Sequence, residues 1–493
     1  MLPVILFIFS LILLWIIQKK VSKRLDIPGP KGVHIFGNAF ELSSQTPYVQ
    51  LHKWSKKYGG VFKIQIFNEE IVVLNENDAV REALLSEDFA GRPYSWRTNF
   101  STPGGYKDIA FRDSSQGWKK LRKIAHRGLK QFGDGMDRIA LLASDEIQDC
   151  IMRFKSNGET PFDPREAVEK CIANIMSSLL VGESIDDNSE DYHSVRFIVE
   201  SDKRIAPSGP GAELDMFPWL RFFGNESYKI LKETVVKRNK LFSSWMEKTE
   251  YKMNLHSDDS RSVCEVLQQH HKQGDITKDE VYGVLQDLLI AGIATTSTTL
   301  KAFLLILVNK PDVQKKIQAE IDNVIGDGRL PTFADRHNMP YSQAAVFEIL
   351  RYSTTTTLSI PHKTLCDTSV GGYKVPRGTM VLMNLWALHH DEKYFDEPYE
   401  FKVERFLDDN GKCLSAHERK SFLPFGIGKR ECLGEAMAKL RMFLFITSLL
   451  QKLDILPQDK NNPPDPDPTK FEYSITNLPG PFNIVVKNRE NEK

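Results

Sequence analysis

Phe425-Gly-Ile-Gly-Lys-Arg-Glu-Cys-Leu-Gly434 sets one cysteine among three glycines and two cations, in a chain of 493 residues with only six cysteines. Gly426 and Gly428 permit positive φ, so the backbone can turn tightly ahead of the sulfur. Leu433 to Leu450 (LGEAMAKLRMFLFITSLL) reads as helix. Cys432 then sits at a helix N-terminus, where exposed N–H groups and the helix dipole favour a thiolate. Lys429 and Arg430 add positive charge, so the pattern predicts an anionic sulfur. Such a sulfur is a nucleophile or a metal ligand. A nucleophile needs a histidine base and an oxyanion hole, and no local signature supplies them. A ligand of haem iron needs a dry, hydrogen-bonded loop, an aromatic shield and cations for the propionates. Phe425 and Arg430 meet those needs.

The pattern F-G-x-G-x-R-x-C-x-G resembles the haem-binding loop of the cytochrome P-450 family. Six fixed positions coincide by chance only about once in 10⁷–10⁸ starts. The resemblance runs through most of the chain and is closest in pattern to the animal microsomal branch that includes the steroid 17-alpha-hydroxylases. It implies a mainly α fold with minor β (α+β). It also implies one large haem domain over residues 27–493 behind a membrane anchor at 1–26, with haem b held axially by Cys432.

Glu348-Ile-Leu-Arg351 puts a carboxylate and a guanidinium at i and i+3, on one helical face. Alone this is an ordinary surface pair. Beside Phe401-Lys-Val-Glu-Arg-Phe406 it resembles the family's Glu–Arg–Arg cluster, with Arg405 as the third member. Val403 stands where the family usually has proline, and a small conformational adjustment is expected there. The resemblance further assigns Arg92, Trp118, Arg122, His362 and Arg430 to the haem propionates.

Thr277-Lys-Asp-Glu280 is a capping box, and apolar periodicity continues to Val308 before Pro311 stops it. That predicts a helix about 50 Å long. Midway lies Ala291-Gly-Ile-Ala-Thr-Thr296. Read from its residues it is a small-residue packing site. The resemblance makes it the oxygen groove, with Ala291 and Gly292 allowing close approach and the Thr295 hydroxyl beside the oxygen site. The departure is Ala294, where the family usually carries an acid that relays protons. Delivery by water past Thr295 is the expectation, and restoring the acid should improve coupling. A haem-thiolate isomerase or lyase acting on a peroxide, and a non-catalytic haem-binding protein, stand as alternatives at this point.

Composition is that of a globular protein, 41% hydrophobic and 26% charged, with Lys plus Arg and Asp plus Glu equal at 65 each. Net charge therefore gives no nucleic-acid signal. The cysteines are scattered, as in a reducing compartment. Leu2 to Ile17 is apolar except for Ser10, and Lys19, Lys20, Lys23 and Arg24 follow. This reads as a retained anchor with the body on the cytosolic face of the endoplasmic reticulum. The sequons at Asn99 and Asn225 should then carry no sugar. No dinucleotide motif is present, so the resemblance implies electrons from NADPH through a haemoprotein reductase, with the small microsomal cytochrome b as a second partner. Lys119, Lys120, Arg122, Lys123 and Lys429 would form the docking face. Val61–Leu74 reads as a hairpin, residues 79–324 as mostly helix, 353–382 as short strands and 475–487 as a closing hairpin. Thr354–Thr357 has strand propensity. Trp96–Phe111, Ile290–Ala294, Thr354–Ile360 and Ile475–Leu478 are expected to wall a lipophilic substrate site. Phe217–Phe223 reads either as a membrane-dipping segment or as a buried aromatic cluster.

Overall fold

The computed structural model describes residues 25–42, 46–67, 69–130, 136–204, 212–255 and 262–489. The expected anchor lies outside them except for Leu25 and Asp26. Helix makes up 57% and strand 10%, so helices predominate as expected. The chain divides into two compact units. The smaller comprises Met1–Pro93, Thr357–Leu388 and Gly426–Glu431, and the larger comprises Tyr94–Thr356, His389–Phe425 and Cys432–Lys493.

In the smaller unit, helices α1 (Pro47–Tyr58) and α2 (Asn77–Leu85) flank the predicted hairpin, β1 (Val61–Ile66) and β2 (Glu69–Leu74). Val61 opposes Leu74 in that hairpin. The segment after 353 supplies β3 (His362–Lys363), β4 (Thr368–Val370), β5 (Tyr373–Val375) and β6 (Met380–Met383). The sheet order is β1-β2-β6-β3. β6 runs parallel to β2, and such pairs require a crossover; residues 75–379 provide it. Leu51 of α1 packs on Phe62, Ile64, Ile71 and Val73, one face of the pleat.

The larger unit is built around helix. Its elements here are α3 (Gln116–Lys130), α4 (Met136–Ser156), α5 (Arg165–Val181), α6 (Lys278–Asn309), α7 (Pro311–Val324), α8 (Pro340–Ser353) and α9 (Glu435–Lys452). The capping box of α6 is present: Thr277 Oγ1 accepts from Glu280 N, and Glu280 returns the bond to Thr277 N. Pro311 ends α6 and opens α7, since proline has no N–H to give but suits the first helical turn. By length and hydropathy α6 could cross a membrane, yet 78% of its most apolar window is buried inside the protein. It is the axis of the core.

Three expectations change here. Residues 475–487 do not pair with each other. β9 (Asn477–Leu478) pairs with β8 (Glu472–Tyr473), and β10 (Ile484–Asn488) pairs with β7 (Leu453–Pro457). Pro479 and Pro481 interrupt the run because neither can donate to a ladder. Thr354 is not in a strand. It takes a left-handed conformation, φ 37°, and ends α8, its hydroxyl donating to Arg351 O. Phe217–Phe223 is no buried cluster: Pro218–Phe223 is a short 3₁₀ turn with Phe222 and Phe223 about 70% exposed.

Candidate active site

Cys432 lies two residues before Gly434, the N-cap of α9. Its N–H donates to Phe425 O at 2.9 Å, which closes the loop. Gly426 (φ 67°) and Gly428 (φ 78°) adopt the positive φ that their positions anticipated, and a Cβ on Gly428 would strike Leu84 O. Most of the helix behind Cys432 is buried. Desolvation is the largest influence on the thiol and pushes it above its ordinary value. The Gly434 N–H, Arg122 and Arg441 pull it down, and Glu435 raises it. Within the polypeptide, burial outweighs the helix terminus in its pull on this thiol. A sulfur in dry surroundings that accepts from the Gly434 N–H and feels the charges of Arg122 and Arg441 suits a cation as its partner; a coordinating metal deprotonates a thiol outright.

The long helix supplies the second component. Ala291 is exposed in the middle of a core helix, so open space adjoins α6 there. Thr295 is half-buried, and its hydroxyl donates to Ala291 O at 2.7 Å. Ala294 is 3% exposed and faces the core. The bare side of Gly292 does not face open space, because a Cβ there would stand 2.5 Å from Met176 Cε of α5. Gly292 thus serves helix packing, the reading its residue type alone supported, and Ala291 with Thr295 border the open side.

Trp118 and Arg122 of α3 lie one turn apart, with the guanidinium 5.8 Å from the indole centroid. The Trp118 N–H, assigned to a propionate by resemblance, donates to Ile109 O at 2.9 Å. What Trp118 presents is its ring, which steadies Arg122.

In the smaller unit Arg92, His362 and Arg430 gather on the turn at residues 89–92. Arg92 Nη1 donates to the carbonyls of Ile360 and Pro361, each at 3.0 Å. Arg430 Nε donates to Ala90 O at 2.9 Å. His362 Nδ1 lies 2.7 Å from Phe89 O. A carbonyl only accepts, so Nδ1 carries the proton. Burial first, then the Arg92 and Arg430 charges, hold His362 well below its ordinary value and keep it neutral. Two guanidinium groups around a buried imidazole form a setting for carboxylates.

The Glu–Arg–Arg cluster is present in the larger unit, with unequal arms. Arg351 is fully buried and grips Glu348 through Nε and Nη2 at 2.7 Å each. Arg405 Nε stands 3.4 Å from Glu348 Oε1 without hydrogen-bond geometry. It is held instead through Nη2 to the carbonyls of Glu397 (2.6 Å) and Glu400 (3.2 Å). Val403 opens a 3₁₀ turn, Val403–Phe406, with its side chain wholly buried, so that turn forms without the family's proline.

Two groups had no motif to announce them. Arg441 of α9 is 2% exposed and donates to Gly292 O and Thr296 Oγ1 of α6, each at 3.1 Å. Asp287, also on α6, accepts from the N–H groups of Ile109 and Ala110 at 2.8 and 2.9 Å. Burial, then the Asp108 charge, pushes its carboxyl well above the usual range. The available signal was a lone charge inside an apolar helical run. Part of the proposed reductase face is already neutralised: Lys120 pairs with Asp275 at 2.8 Å, and Lys429 pairs with Glu87.

Residues 27–486 match the cytochrome P-450 family. The steroid 17-alpha-hydroxylase/17,20 lyase of Squalus acanthias is 32% identical over 92% of this chain and 90% of its own length. Cytochrome P-450 2F3 of Capra hircus is 31% identical over 99% of both. A zebra fish cytochrome P-450 solved with progesterone superposes with a TM-score of 0.79 at 30% identity, covering 90% of this chain and 99% of that one.

Proposed function

The chain belongs to the cytochrome P-450 family and is a haem-thiolate monooxygenase, and from that premise we propose a lipophilic substrate of steroid or terpenoid type, oxidised with electrons from NADPH through a haemoprotein reductase. The family implies haem. By the resemblance, the residues that would hold it are Cys432, Phe425, Trp118, Arg122, Arg92, His362 and Arg430. When bound, the haem supplies the oxygen activation, and the protein supplies binding, orientation and electrostatics.

Each side chain has a task that follows from its setting. Gly434 N–H and the nearby guanidinium groups stabilise negative charge on the Cys432 sulfur. Arg92 and Arg430 would receive the haem carboxylates beside the neutral His362 imidazole. Ala294 has no proton to pass. That task falls to the Thr295 hydroxyl with water, at the exposed position next to Ala291. The Glu348 cluster holds α8 and the 397–405 segment in register.

The observation that carries the substrate class is the company the chain keeps: its relatives include steroid 17-alpha-hydroxylases, and solved neighbours hold progesterone and abiraterone. Trp96, Phe100 and Tyr228 form an aromatic group in keeping with an apolar ligand. We further place the protein in the endoplasmic reticulum membrane, body on the cytosolic face, with residues 1–26 as the anchor and 27–493 as the haem domain. Exposed Phe222 and Phe223 are suited to lipid contact. Lys119, Arg122 and Lys123 would serve among the docking charges for the reductase, with the small microsomal cytochrome b as a competitor for them.

The test is a turnover screen of lipid extracts with reductase and NADPH, read by mass for the gain of one oxygen. Product from steroid or terpenoid fractions is expected. Activity confined to a peroxide substrate without NADPH overturns the reductase reading.

A further inference from the structure

Arg441 presents an imbalance. It is 2% exposed, and its two bonds go to neutral oxygens, Gly292 O and Thr296 Oγ1. Among the described residues its Nε has no partner and no carboxylate pairs with it. A guanidinium without a counter-charge in a core is costly, and proteins retain such groups where an anion compensates them. Position indicates which anion. Arg441 lies seven residues, two turns, beyond Gly434, on the same face of α9. Helical side chains lean toward the N-terminus of their helix, so this one reaches back toward the end where the Gly434 N–H meets the Cys432 sulfur. The Cys432 and Arg441 charges also act on one another.

We propose that Arg441 is the buried counter-charge of the Cys432 thiolate, a positioning residue that raises the reduction potential of the iron Cys432 holds while tying α9 to α6 at Gly292 and Thr296. The electrostatics give the direction. Ferrous iron with a thiolate carries one more negative charge than ferric iron with a thiolate. A fixed cation in a dry setting favours the more negative state. Removing it makes the iron harder to reduce and leaves more electron density on the sulfur.

This inference rests on the proposed reading that Cys432 would hold the haem iron. A reduced, carbon monoxide-treated wild type lacking the red-shifted Soret band of a thiolate ligand defeats that reading first. With the band present, the experiment is a redox titration of haem-loaded wild type, Arg441→Gln and Arg441→Lys. Arg441→Gln should shift the ferric–ferrous equilibrium toward ferric by about tenfold, 59 mV for one electron. Arg441→Lys, which keeps the charge without the fork, should stay near wild type. Loading that fails for the glutamine variant alone also supports the proposal, because the neutral side chain is the easier one to bury. Equal potentials in all three proteins overturn it. So does an equal shift, or an equal failure to load haem, in both variants, which would make the guanidinium fork a packing device.

Discussion

Arg351 and Arg441 are both shut off from solvent, and their surroundings are opposite. Arg351 uses all five donors: two on Glu348, two on the carbonyls of His389 and Pro398, and one on Glu400 O. Arg441 reaches two neutral oxygens and leaves Nε unused. The first is complete within the polypeptide, so its work is to hold α8 against the segment that follows His389. The second is complete only when something negative lies nearby. Burial alone does not distinguish a structural cation from a tuning one; the identity of the partner does.

The largest effect should come from making the first site resemble the second. Glu348→Gln leaves Arg351 and the adjacent Arg405 without their carboxylate. Breaking a buried pair by removing one partner costs about 3–5 kcal/mol. A denaturant midpoint should fall accordingly, and a loss under about 1 kcal/mol would show that the carbonyls suffice.

The converse change is Ala294→Asp, which adds an acid within the turn of α6 that Arg441 holds. Because Ala294 is 3% exposed, the new carboxyl enters a dry environment at a cost of about 1–3 kcal/mol. Product formed per NADPH should nonetheless rise, since Thr295 gains a proton source. Coupling measured at one temperature decides this, and no rise refutes the relay account.

The paired site has a pH signature. His389 accepts from Leu423 N at 3.1 Å and lies 2.9 Å from Thr354 Oγ1. Burial, then the Arg351 charge, lowers it to about 3. A base depressed in the folded state binds its proton more readily when unfolded, so acid favours unfolding. Its contribution is intact above the unfolded value near ~6.5 and is lost as pH falls toward about 3, by up to about 1.4 kcal/mol per pH unit. Unfolding free energies of His389→Gln should show a flatter acid limb than wild type; an identical limb would assign that dependence elsewhere.

The smallest effect belongs to exposed charges. Lys119→Ala with Lys123→Ala should leave stability within about 0.5 kcal/mol while slowing reduction by the reductase and flattening its salt dependence. Stopped-flow reduction at two ionic strengths reads this directly.

The cysteine loop, the capping box, the hairpin at Val61–Leu74 and the Glu348–Arg351 pair were legible because each depends on neighbours in the chain. A glycine at positive φ, a hydroxyl capping three residues ahead and a cross-strand pair beside a turn are local events. The closing strands were misread for the opposite reason. Ile484 and Pro457 meet through a return of the chain that no alternation pattern encodes. Gly292 shows a subtler limit. Its smallness was plain, but whether that served a ligand or Met176 depended on which helix packs there. The Trp118 N–H likewise found its acceptor, Ile109 O, through the fold of the loop before α3 and not through any motif.

By itself, then, the order of residues determined the cysteine loop, the helical class and the family, because those rest on short-range stereochemistry and on a motif whose parts are adjacent. Tertiary structure alone decided the company of the buried groups: the imidazole of His362 held neutral beside Arg92 and Arg430, and Arg441 with no acid paired to it among the described residues. Such properties depend on how much water and which charges lie within a few ångströms, and those neighbours come from segments far apart in the chain.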